Sequence, residues 1–240
     1  MADPIFQRYD TAGRAFDRGY FDEGLRQHML RVYNYMSAGL VVTGLVALFT
    51  ASSPAMLQAI FMTPLKWVVM LAPLAFVMVL SFGINRLSFG AAQAVFWAYC
   101  AAMGLSMSAI FLVFTGASIA LTFFVTAATF LAMSLYGYTT KADLSKMGSF
   151  MMMGVIGIII AGLANIFFQS PALHFAISAI GVVIFTGLTA YDTQRIKEEY
   201  AEGYGHEGQG KLALMGALAL YLDFINLFQF LLQFLGQRDE

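Results

Sequence analysis

The stretch "LALMGALALYLDFINLFQFLLQFLG", Leu212 to Gly236, decides how the whole chain is read. It is apolar for longer than the roughly 20 residues that carry a helix across a bilayer. Yet Asp223 stands near its middle. A carboxylate at the centre of a spanning helix costs about 2.5–3.5 kcal/mol on insertion scales, so it calls for a partner or a function. The whole chain of 240 residues is 60% hydrophobic and 11% charged, against about 25% charge in an ordinary soluble domain. Its mean hydropathy is +0.73. These values predict an all-α integral membrane protein.

Seven apolar segments are long enough to span: Leu30–Phe49, Trp67–Ile84, Ala91–Phe114, Ser118–Tyr136, Met147–Phe168, Ala172–Tyr191 and Leu212–Leu235. Turn signals separate several of them, at "SSP" (Ser52–Pro54), "TGAS" (Thr115–Ser118), "QSP" (Gln169–Pro171) and "EGYGHEGQG" (Glu202–Gly210). The connections are short and leave no room for a soluble domain. The expected organisation is a polar cytoplasmic segment over 1–29, a seven-helix domain over 30–236 and a short tail over 237–240. Residues 1–29 lack the apolar core of a signal peptide, so the first span is expected to act as the insertion signal. Glycines in "GLVVTG" (Gly39, Gly44) and "GVIGIIIAG" (Gly154, Gly157, Gly162) read as sites of close helix approach.

Lys and Arg set the expected orientation. With the N-terminus inside, eleven of the thirteen fall on the inner side and only Lys66 and Arg238 outside. This positive-inside asymmetry predicts a cytoplasmic N-terminus and an external C-terminus. A net charge of −1 gives no reason to expect nucleic acid as a partner. The lone Cys100 excludes an internal disulfide, and no Cys/His metal cluster or phosphate-binding glycine motif is present. No cofactor is expected. The sequence names no protein partner; the bilayer itself is the expected surrounding.

No acidic residue occurs between Glu23 and Asp143. Two then lie in or beside apolar helices, Asp192 in "FTGLTAYDTQRIKEEY" and Asp223 in "LYLDFINLF". On the last helix Asp223, Asn226, Gln229 and Gln233 recur at helical spacing and suggest one polar stripe. On the sixth, Thr186, Thr189 and Thr193 do the same beside Asp192; back-bonding to the preceding turn explains such threonines equally well. Two helices with polar stripes are expected to face each other, because lipid cannot satisfy either. Two carboxyls in contact share a proton and titrate as a pair. When ionised they attract a hard cation such as Ca²⁺, with Asn226, carbonyls and water completing its shell. Counted from Lys211 and from Lys197, however, Asp223 lies about 18 Å and Asp192 about 7 Å along their helices. The sixth helix must sit deeper, tilt or kink for the pair to meet.

"FTGLTAYDTQRIK" (Phe185–Lys197) followed by "LALYLDFINLF" (Leu218–Phe228) resembles the Bax inhibitor-1, or transmembrane Bax inhibitor motif, family in its bacterial type. "SLYGYTTKADLSKMGSF" (Ser134–Phe150) and "FTGASIALTFFVTAATF" (Phe114–Phe130) are similar to its patterns as well. The resemblance implies a seven-helix bundle with the last helix at its centre, in a bacterial inner membrane. It implies a pH-sensitive Ca²⁺ leak, with Ca²⁺ and protons as the chain's small partners. Asp192 and Asp223 match the family's paired aspartates, the pH sensor and ion gate and a Ca²⁺ site. An arginine of the second helix partners that pair in the family. Arg86 in "FGINRLS" is the arginine nearest that position, and an anchor at a helix end explains it equally well.

Other classes remain as alternatives. An intramembrane aspartyl protease would also place "YD" and an Asp on successive helices, but Asp223 lies in "YLD", without the GxGD pattern, and "PAL" (Pro171–Leu173) precedes both acids. No enzyme is expected. An interaction protein with purely structural acids is the remaining reading. A retinal protein is disfavoured, since the last span holds no lysine. His28, His174 and His206 fall outside the spans or at their edges and suggest no catalytic triad; His206 is expected in a solvated loop.

Overall fold

The computed structural model describes residues 4–200 and 205–237, with side chains from Glu23 onward except that of His206. Eight α-helices follow in order: α1 (Pro4–Ala51), α2 (Pro54–Phe61), α3 (Leu65–Gly83), α4 (Phe89–Met107), α5 (Gly116–Thr139), α6 (Ser145–Phe168), α7 (Pro171–Glu198) and α8 (His206–Leu235). A 3₁₀ turn, Ser108–Leu112, extends α4, and no strand occurs among the described residues. Seven of the helices carry apolar spans of 19 to 29 residues, each long enough to cross a bilayer. Large apolar side chains such as Phe82, Phe124, Ile160 and Phe167 point outward from the bundle. This is the surface of an integral membrane protein, whose solvent is hydrocarbon.

Helix starts follow the turn chemistry. Ser53, Ser88, Thr115 and Ser170 each accept a hydrogen bond from a backbone N–H in the first turn of α2, α4, α5 and α7. Pro54 and Pro171 occupy the first helical position, where no N–H is needed. Gln169 closes α6 in the left-handed region at φ 48°, the one non-glycine residue of positive φ among those described.

Some boundaries differ from the sequence reading. The first connection is not merely a turn but holds α2. The sixth span does not stop at Tyr191; α7 continues to Glu198, because Asp192, Thr193, Gln194 and Ile196 are all buried against neighbours. At the other side of that connection, helix begins at His206, so Glu207–Gly210 are helical and not loop. Residues 202–204 of the expected turn and 238–240 of the expected tail lie outside the described residues.

α8 is the centre of the bundle. It packs on α7, α1, α5 and α4, and 67% of its apolar window is buried, more than in any other span. Phe96, Tyr99, Phe130 and Tyr221 fill the core around it. One polar chain crosses this core: Thr43 donates to the Cys100 carbonyl at 2.9 Å and so receives the Tyr221 hydroxyl proton at 2.6 Å. Close approach depends on glycine at defined points. A Cβ on Gly137 of α5 would collide with the Ala190 carbonyl of α7, and one on Gly148 of α6 with the Tyr191 ring. Of the glycines expected in this role, Gly39 lies against Cys100 and Gly154 against Ile184, whereas Gly44, Gly157 and Gly162 face open space. Gly137→Val should therefore cost about 1–3 kcal/mol, as overpacking does, while Gly44→Ala should not destabilise. Thermal unfolding of the detergent-purified variants compares the two; equal melting temperatures would refute the contact.

Candidate functional site

α7 and α8 run antiparallel, and their register brings the two acids together. Phe185 stacks on Phe230 with ring centroids 5.7 Å apart. Seven residues on from each in the converging direction stand Asp192 and Asp223, whose carboxyls lie within hydrogen-bonding reach of each other. Ser178 donates to Gln233 Oε1 at 3.1 Å farther along, and Gly216 faces Ile196 at the other end. The depth mismatch expected from the lysines disappears for a simple reason. α8 begins well beyond the end of α7, so equal counts from Lys197 and Lys211 do not mark equal depths. Lys197 is also tied down: its Nζ donates to the Tyr138 carbonyl at 2.8 Å and lies over the Tyr138 ring.

Asp192 is 9% exposed and Asp223 only 4%. Their partners are unequal. Arg195 Nη2 reaches Asp192 Oδ1 at 3.2 Å, and its Nε lies 3.5 Å from Glu199 Oε1. The guanidinium also sits over the Tyr191 ring. Asp223 Oδ2 is buried with no hydrogen-bond partner. A buried carboxylate oxygen left unpaired is costly and marks either a shared proton or a missing ligand.

A cavity of about 1080 Å³ runs beside the pair. Arg195, Glu199 and Gly216 line it near the α7–α8 connection, and Asn165, His174 and Gln233 line it at the opposite end. Between them lie Asp192, Asp223 and Asn226. Asn226 donates through Nδ2 to the Leu222 carbonyl at 2.8 Å, which leaves its amide oxygen unengaged by that bond.

The stripe on α8 differs from the expected one. Met215, Ala219, Leu222, Asn226, Phe230 and Gln233 face the cavity, and Gln229 does not line it. At 100° per residue, Phe230 falls within about 20° of the azimuth of Asp223, whereas Gln229 is about 120° away. Arg86 is also not where a partner of the pair would be. α3 ends at Gly83, and Arg86 lies exposed in the following turn, its N–H bonded to the Gly83 carbonyl. It makes no ion pair among the described residues; α3 reaches the cavity through Ser81 instead. Arg195 takes the place at Asp192. Its spacing of three from Asp192 on one helix is the signal that could have found it.

Two further contacts hold α7 in place. Thr193 donates to the Thr189 carbonyl at 2.7 Å, so it accepts from Ser134 at 3.0 Å, and Ser134 from Tyr33 at 2.6 Å. This hydroxyl chain ties α1, α5 and α7 beside Asp192. Gln194, 7% exposed, accepts from the Leu144 N–H and donates to the Ala142 carbonyl, both at 2.8 Å, clamping the α5–α6 connection. In that connection Asp143 is held below the usual carboxylate range by hydrogen bonds from Ser145, side chain first and then backbone, and stands apart from the site. Gln194→Ala would leave two backbone groups unpaired, at about 1–3 kcal/mol each. Hydrogen exchange at the Leu144 amide should then accelerate; unchanged protection would show that the clamp contributes nothing.

The family model for "Inhibitor of apoptosis-promoting Bax1" matches residues 25–240. The chain is 49% identical to protein RP147 of Rickettsia prowazekii over 92% of its own length and 93% of that protein's. It is 47% identical to the inner membrane protein YbhL of Escherichia coli K12, covering 90% and 93% of the two chains. To YrjE of Lactococcus lactis it is 39% identical, over 89% and 92%. With seven spanning helices, α8 among them, and a family match over nearly the whole chain, the chain belongs to the Bax inhibitor-1 family.

Proposed function

We propose that the protein is a pH-sensitive cation leak pathway, with Ca²⁺ as the conducted ion and the Asp192–Asp223 pair as its proton-sharing gate. The observation that supports this most is the buried, unpartnered Oδ2 of Asp223 beside a carboxyl neighbour and a long cavity. Protons and a divalent cation compete for the same oxygens, so protonation weakens cation occupancy. Two carboxylates and the Asn226 amide oxygen fall short of the six to eight oxygens that Ca²⁺ takes. Among the described residues no group of three or more His, Cys, Asp or Glu is poised around a metal. Such a sparse shell suits a passing, partly hydrated ion. The positive-inside charge pattern supports an orientation with the N-terminus and the α7–α8 connection in the cytoplasm and the C-terminus outside, in an inner membrane as for YbhL.

Arg195 is the counter-charge in this mechanism. Its guanidinium touches both Asp192 and Glu199. Moving fully onto Glu199 would release Asp192 to an arriving cation. On this reading the pair is not catalytic: a guanidinium held on one of the two carboxyls is poorly suited to activating a water between them.

Ca²⁺ flux into liposomes tests the proposal. Asp223→Asn and Asp192→Asn should each flatten the pH dependence of flux, and unchanged pH profiles in both would remove the sensor. Arg195→Gln should lower the half-saturating Ca²⁺ concentration several-fold, because a cation 3.2 Å from Asp192 no longer competes. A raised half-saturating concentration would show that Arg195 serves the site in another way. Cleavage of a reporter helix, lost in Asp223→Asn, would instead favour a protease.

A further inference from the structure

The central helix has one face that no helix covers. Met215, Ala219, Leu222, Asn226, Phe230 and Gln233 lie along it, and all of them line the 1080 Å³ cavity. α3 packs chiefly on α4, and α6 on α7, with no extensive contact between α3 and α6 to close the groove from the side. The opposite wall is apolar, formed by Met152, Val155 and Ile159 of α6. In a bilayer such a wall accommodates a hydrocarbon chain. Ligand cavities usually hold about 300–1,000 Å³, so the volume admits one chain with its head group.

The charge in the groove selects the head. Asp192, Asp223 and Glu199 face a single guanidinium, and Asp223 Oδ2 is buried without a donor. An ammonium group has three donors and no acceptor, which complements a carboxylate short of donors. An anionic or uncharged head offers nothing comparable. The lengths agree as well. From Asp223 to Gln233 is ten residues of helix, about 15 Å. One lipid-like chain spans about half of the ~30 Å hydrocarbon core, a similar reach.

We propose that the groove binds a single-chain lipophilic ammonium ion, its head on the Asp192–Asp223 carboxyl pair and its chain along Met152, Val155, Ile159 and Phe230. The site shares its acids with the proposed ion pathway, and its occupant would block that pathway, but binding itself requires no flux.

Photolabelling with dodecylamine carrying a diazirine at its tail, on the full chain in phosphatidylcholine nanodiscs, tests this. Labels should map to the Met152–Ile159 stretch and to Phe230. Unlabelled dodecylamine should reduce them strongly, and dodecanol should be weaker by roughly tenfold, the worth of one charge-assisted hydrogen bond. Labels spread over lipid-facing positions such as Phe82 and Phe124, or equal competition by dodecanol or dodecyl sulfate, would overturn the proposal. Val155→Trp, which fills the groove without touching the acids, should abolish groove labelling while the protein still elutes as a folded species; persistent labelling would also overturn it. Labelling without aspartate-dependent Ca²⁺ flux sustains this site and removes the leak pathway. Aspartate-dependent flux without labelling removes this site alone.

Discussion

The contact between Asp192 and Asp223 constrains everything around it. A carboxylate buried to 4% exposure cannot be left to hydrocarbon, and the cost of an unpaired buried charge exceeds that of most packing errors. α8 therefore has to present Asp223 to α7 at one depth and one rotation. The other α7–α8 contacts repeat that register: Phe185 on Phe230, Ser178 on Gln233, Ile196 on Gly216. None of them is strong alone, but they are mutually consistent, and a shift of one helical turn would break all of them together.

Fixing that register also determines what surrounds α8. α1, α4, α5 and α7 take up most of its circumference, and their small residues let backbones approach where a side chain would collide, as at Gly137 against Ala190. α3 and α6 are then outer helices, each resting mainly on one neighbour. The strip of α8 between them stays open, and Asp223 lies beside that strip. So the cavity is a consequence of how a central helix is packed in a seven-helix bundle, and the acids lie on its wall because α7 borders it.

Hydropathy alone was sufficient for the seven spans, since each must exceed the bilayer core and little else in the chain is apolar for so long. Charge spacing exposed Asp223 and offered Asp192 as its companion. Other features were hidden by the physics of the cues. Positive-inside counting treats every Arg as a loop anchor, and so hides that Arg195 lies one turn from Asp192 on the same helix. Arg86 carried the opposite error: proximity in sequence to the second span said nothing of a helix that stops at Gly83. Gln229 shares the steps of three and four with Asp223 but not its azimuth, because successive steps of three drift around the helix. Lys197 failed as a depth marker because it bonds the Tyr138 carbonyl instead of reaching for water.

The two acids differ in a way that follows from their places on their helices. Asp192 lies about two turns before the C-terminus of α7, whose exposed carbonyl ends carry negative partial charge. Arg195 and Lys197 occupy the last turn of that helix, the position where basic residues offset this field, and Arg195 pairs with the acid directly. Asp223 is in the interior of α8, and the charges within its reach are Asp192 first and then Arg195. The pair is thus asymmetric by construction. Both carboxyls line the cavity, but one pairs directly with a cation while the other keeps a buried oxygen without a partner. Anything that binds at Asp192, whether proton or cation, displaces part of the Arg195 contact and is registered at Asp223, whose Oδ2 has no hydrogen-bond partner of its own.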